Sequence, residues 1–191
     1  MKKQLGTRGR SPQGDNRMRN RTQALPYGHG IRMGVRVFLL VILQVSIVSR
    51  IGFFGAVPDI LLAYVVTLAV TGRSADRWKT VAVSGIAAGF LADTLGGVGI
   101  GFLALFYFLV GVGLARFVRR VPMGIPESLL TFLLALAPAA ILRSGVTLLY
   151  TLLSHPSGFS LGVFLLSSAL PEVGGTLLLA LPVFFLFRGR D

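Results

Sequence analysis

Cysteine is absent from the 191 residues. That excludes disulfides, a thiol nucleophile and thiolate metal sites. Histidine is almost as scarce. His29 and His155 are the only two, and neither falls inside an apolar run, so a Ser–His pair at depth in a hydrophobic segment is excluded. Acidic residues number 7, and charged residues make up 14% of the chain. A soluble domain averages about 25%, so the charge is too sparse to coat a water-facing globule of this size. What fills the space is apolar: 53% of residues, with a mean hydropathy of +0.76. Glycine is plentiful at 24; it is costly in soluble helices but common in membrane helices, where it lets backbones approach. The expected fold class is all-α, a polytopic integral membrane protein.

The net charge of +12 is unevenly placed. Residues 1–32 hold Lys2, Lys3, Arg8, Arg10, Arg17, Arg19, Arg21 and Arg32 against the single acid Asp15. The rest of that stretch is polar, without apolar period, and cannot bury enough surface to offset ordering entropy. It is expected to be a disordered basic cytoplasmic arm. Such an arm is attracted to anionic lipid by about 1 kcal/mol per basic residue near the surface. Lipid is preferred to nucleic acid as its partner because an apolar segment follows at once. No small-x-small cleavage site is present, and the arm and the next run are too long for a cleaved signal peptide.

From residue 33 to 188 apolar runs alternate with short punctuators, defining a six-helix transmembrane domain. The runs are Met33–Ser49, Ile51–Thr71, Thr80–Ala92, Gly99–Ala115, Glu127–Ser154 and Leu161–Phe187. A span needs about 20 residues, so the second and third are marginal, and five helices or a re-entrant piece near Ile51–Val57 are the alternatives to six full crossings. Basic residues mark cytoplasmic loops. With the N-terminus inside, segments 1–36, 73–79, 116–127 and 188–191 face the cytoplasm and carry 17 of the 19 Lys and Arg. Six spans with both termini cytoplasmic is the expected topology.

Charges within the runs are costly, roughly 2.5–3.5 kcal/mol at mid-helix, so Asp59, Asp93, Arg143 and Glu172 are the candidate site residues. Asp59 and Asp93 are expected near the outer ends of the second and third runs. Arg143 and Glu172 are expected deeper, at similar depth on consecutive helices, where they suggest an interhelical ion pair. A pair of that kind either fixes helix register or forms a polar site for a ligand or proton; the first is preferred. Two Asp could in principle share a proton as catalytic dyads do. However, intramembrane proteases of that type carry Gly-x-Gly-Asp, and here the residues are Phe90-Leu91-Ala92-Asp93. Metal ligands do not cluster, and the glycine string at 96–101 lacks the Lys of a phosphate loop. No enzyme, metal or cofactor is expected. Gly85 and Gly89 form a GxxxG pair that Asp93 extends at i+4, a small-residue seam for close approach of another helix, with internal packing the preferred use.

Taken together, Pro58-Asp59-Ile60-Leu61-Leu62, then Gly85-x3-Gly89-Phe90-x2-Asp93, then Gly99-x-Gly101, resemble the MreD family, rod shape-determining membrane proteins of bacteria. The resemblance covers about residues 33–188. The arm is longer than the family usually has, and Gly101-Phe102-Leu103 lacks the polar residue often found there. The resemblance implies a non-enzymatic subunit of the cell-wall elongation complex in the bacterial inner membrane. It would maintain rod shape through binding of MreC and coupling to peptidoglycan synthesis, with RodA and a class B penicillin-binding transpeptidase as further partners and MreB an indirect one. The implied fold is similar to the S-components of energy-coupling-factor transporters. A vitamin-binding S-component that works with an ATPase is accordingly the alternative, which a pocket rich in hydrogen-bonding side chains would favour.

Overall fold

The computed structural model describes residues 27–48, 50, 56–72, 77–96, 101–118, 125–154 and 160–188. Helices account for nearly all of them, and no strand occurs among the described residues. In chain order, α1 is Tyr27–Leu43, continued by a π-helical stretch Gln44–Val48. Helices α2, Ile60–Thr71, and α3, Arg77–Gly96, follow. Next come α4, Phe102–Val118, and α5, Ile125–Ser154. The last helix, α6, runs Leu161–Phe187. A π-helical turn, Leu165–Ala169, interrupts it one turn in.

Helix α1 begins at Tyr27, several residues inside the stretch expected to be a disordered arm. The rest of that arm lies outside the described residues, as does most of Ile51–Val57, where the re-entrant piece was expected. Helix α2 occupies only the Pro58-distal part of the second apolar run. Its start is fixed by chemistry: Pro58 disfavours helix in the residue before it, and Asp59 accepts a hydrogen bond from the Leu62 N–H at 2.9 Å as an N-cap.

Helix α2 is the axis of the bundle. Every residue from Ile60 to Val70 is buried, and it touches the other five helices. A helix without a polar face belongs inside a bundle, and the buried Thr67 hydroxyl is satisfied by donating to the Ala63 carbonyl. On one side α3 and α4 form a close hairpin with α1 against α3; on the other α5 and α6 pair. Tyr64 of α2 meets Phe187 edge-on, and Phe132 of α5 stacks on Phe184 of α6.

The hairpin owes its closeness to glycine. A Cβ on Gly89 would collide with the backbone of Leu103 and Ala104, and one on Gly85 would sit 3.0 Å from the Tyr107 carbonyl. The GxxxG seam thus faces α4 of the same chain. Asp93, 1% exposed, fastens the open end. Its carboxylate accepts the N–H groups of Gly101 at 2.9 Å, Leu103 at 3.0 Å and Ala104 at 3.4 Å. These are orphan donors at the start of a helix, and the negative charge also suits that end of the helix dipole. Gly101 can turn the chain there because its φ is +93°, a conformation open to glycine at little cost.

Among the described residues three helical stretches are long and apolar enough to cross a membrane: Gly30–Val48, Leu129–Leu153 and Leu161–Phe187; Ile60–Thr71 and Phe102–Val118 are shorter apolar helices. The outer faces are covered with large exposed apolar side chains, among them Phe38, Leu109, Phe117, Leu134, Leu166 and Phe185. An apolar surface of that extent is the kind that meets lipid or other proteins.

Candidate functional site

A cavity of about 300 Å³ opens where the starts of α2 and α4, the π-helical stretch of α1 and the middle parts of α5 and α6 converge. Gln44, Asp59, Tyr107, Arg143 and Glu172 are its polar lining, and Val45, Val57, Leu61, Ala92 and Leu103 its apolar lining. Its size is at the lower end for a small-molecule site, and its mix of apolar walls with a few convergent polar groups is typical of one.

Asp59, 6% exposed, is the hub. One carboxylate oxygen caps α2 through the Leu62 N–H. The other accepts the Tyr107 hydroxyl at 2.7 Å and faces Arg143 Nε at 3.4 Å. Its own N–H donates to Thr176 Oγ1 at 2.9 Å, a contact to α6. The contact with Arg143 Nε is an ion pair rather than an aligned hydrogen bond. Through its carboxylate and its own N–H, Asp59 therefore ties together α2, α4, α5 and α6. Gly85 lets the α4 backbone lie close to α3 at the level of Tyr107.

Gln44 holds the approach to Asp59. Its side chain donates to the Pro58 carbonyl at 2.7 Å and accepts the Ile60 N–H at 2.9 Å. Both ends of the amide are thus used to satisfy backbone groups at a helix start, which would otherwise be unpaired in an apolar bundle. Gln44 sits in a π-helical stretch, a feature that often re-aims a side chain at a functional site.

The expected Arg143–Glu172 pair is not formed. Arg143 pairs with Asp59 instead, and Glu172 accepts the Ser144 hydroxyl at 3.1 Å. Adjacent positions on a helix are about 100° apart, so Arg143 turns to the α2 start while Ser144 turns to α6. Asp59, at the start of the short helix α2, comes within reach of the Arg143 side chain. Asp93 lies apart, spent on the start of α4, although its neighbours Ala92 and Leu103 line the cavity.

Three of the four charged residues singled out by sequence are therefore brought to one cavity and the fourth is not. Gln44, Tyr107 and Thr176 were missed. The only advance signal was their polarity within apolar runs, which does not say where a side chain points. Among the described residues no three His, Cys, Asp or Glu are grouped to hold a metal ion.

Fold and site together define, among the described residues, an all-α bundle with three helices long and apolar enough to cross a membrane, built round a small charged cavity. No family model, no curated protein and no solved structure matches this chain.

Proposed function

We propose that the chain is a non-enzymatic, six-span subunit of the bacterial cell-wall elongation complex, MreD-like in role, which works by binding MreC and coupling it to the peptidoglycan synthases. One observation carries the reading. The residues that bear the resemblance are framework residues. Asp59 caps α2, Gly85 and Gly89 seat α4, and Asp93 caps α4. Each is spent on joining one helix to the next, the work of a scaffold, and neither Asp carboxylate is left over for proton transfer.

The six-span reading requires α2, at 12 residues, to be flanked by non-helical backbone at membrane depth. Such backbone is tolerated where protein rather than lipid surrounds it, and α2 is enclosed by the other five helices. The basic ends agree with a cytoplasmic face. Arg116 at the end of α4 lies over the ring of Trp78 at the start of α3, an arrangement suited to an interfacial aromatic anchor.

The test is affinity purification of the tagged full-length chain from its native membrane in mild detergent. MreC should co-purify, with RodA and a class B transpeptidase beside it. Recovery of an ATPase pair without MreC would replace this reading with the transporter alternative.

A further inference from the structure

We propose that the cavity at Asp59 is a binding site for a protonated primary amine, presented either by a small molecule or by a lipid headgroup. The inference stands on the cavity itself, independently of the elongation-complex reading.

The charges around the cavity do not cancel. Arg143 is matched by Asp59 at 3.4 Å. Glu172 makes no ion-pair contact among the described residues: its hydrogen-bond partner is the neutral Ser144 hydroxyl, and the one guanidinium nearby is in contact with Asp59, which leaves two carboxylates to one cation. A carboxylate at a site of restricted solvation needs compensation, and a ligand with a single positive charge supplies it. A primary ammonium fits the open acceptors as well as the charge. The second carboxylate oxygen of Glu172 is available, and so are the lone pairs of the Tyr107 oxygen, whose proton is given to Asp59. Gln44 uses one N–H and one oxygen lone pair on backbone, so its second lone pair adds a further acceptor. With two carboxylates against one guanidinium, the charge of the lining favours a cation over an anion, and a primary ammonium can donate to several of its oxygens at once.

Size and shape add a second restriction. A volume of about 300 Å³ holds an aminoalkyl group or a headgroup but not acyl chains. Val57, 41% exposed, is the lining residue that reaches the surface. The apolar remainder of an amphiphile would leave the cavity past that side chain and the half-buried Val45.

The experiment uses the purified full-length chain in detergent, with native mass spectrometry and thermal unfolding as readouts. The probes are free ethanolamine, phosphatidylethanolamine, phosphatidylcholine and phosphatidylglycerol. Ethanolamine and phosphatidylethanolamine are expected to bind and raise the unfolding temperature, whereas phosphatidylcholine, which cannot donate hydrogen bonds from nitrogen, and phosphatidylglycerol are not. Binding of both amines marks a free-amine site; binding of the lipid alone marks a headgroup site. Glu172→Gln, which keeps shape and an acceptor for Ser144, should weaken binding about tenfold or more, as loss of a charge-assisted hydrogen bond does. Val57→Trp, at a half-exposed position, should block entry without touching the charged network. No binding of either amine, preference for phosphatidylglycerol, or binding unchanged in both variants would overturn the proposal. None of these outcomes bears on MreC binding.

Discussion

Asp93→Ala removes the acceptor for three backbone N–H groups at the start of α4, and its cost can be worked from the geometry. Gly101 and Leu103 donate at 2.9 and 3.0 Å, while the Ala104 contact, at 3.4 Å, is weak. Loss of an N-cap costs about 0.5–2 kcal/mol. Leaving a buried donor unsatisfied costs about 1–3 kcal/mol, and Leu103 is buried, out of reach of replacement water. The combined loss is about 1.5–5 kcal/mol. Asp93→Asn keeps one acceptor oxygen but not the charge, so it should lose about half as much. Thr94→Ala is the control, because the Thr94 hydroxyl is exposed and bonds only within its own helix, to the Phe90 carbonyl. It should stay within about 0.5 kcal/mol of the parent. The assay is equilibrium unfolding of the detergent-solubilised chain in a titration of denaturing detergent. A stability for Asp93→Ala no lower than that of Thr94→Ala would refute the cap.

Gly89→Ala places a methyl group against the α4 backbone, where no side chain can yield, so unfolding should come easier by at least the roughly 1–3 kcal/mol of ordinary overpacking. Gly113→Ala, whose added methyl meets nothing, should be neutral in the same titration. Arg143→Leu leaves Asp59 uncompensated and should lower membrane abundance; adding Asp59→Asn should restore part of it, whereas adding Glu172→Gln should not, and equal rescue by either would undo the assigned pairing. Single cysteines can be introduced without background because the chain has none. By the charge-based topology, Gly158→Cys should label from outside the cell and Ser74→Cys should not, as read by a membrane-impermeant maleimide.

The six helical stretches were legible because their punctuation is chemical. Pro58 with Asp59, the basic residues at Arg116 and Arg188, and Gly101 each end or begin an element for a local reason. The α3–α4 seam was legible too, since Gly85, Gly89 and Asp93 recur on one helix face. What could not be read is partnership between distant segments. Asp59 and Arg143 lie 84 positions apart, and whether Arg143 or Ser144 turns toward Glu172 depends on a 100° rotation of α5 that hydropathy does not record. The central position of α2 was hidden for a similar reason. A helix apolar all round can face lipid or protein equally well, and only packing decides. Gln44 was invisible because its role follows from a π-helical stretch, which no spacing rule in the sequence announces.

The central claim, a scaffold role in side-wall growth, is tested most directly by depleting this chain in its native cell and imaging both cell shape and incorporation of a fluorescent peptidoglycan precursor. The account predicts that rods widen and round as the protein is lost, that incorporation along the side wall fades while septal labelling persists, and that re-expression restores both. Depleted cells that remain rods of normal width, with unchanged side-wall labelling, would contradict it.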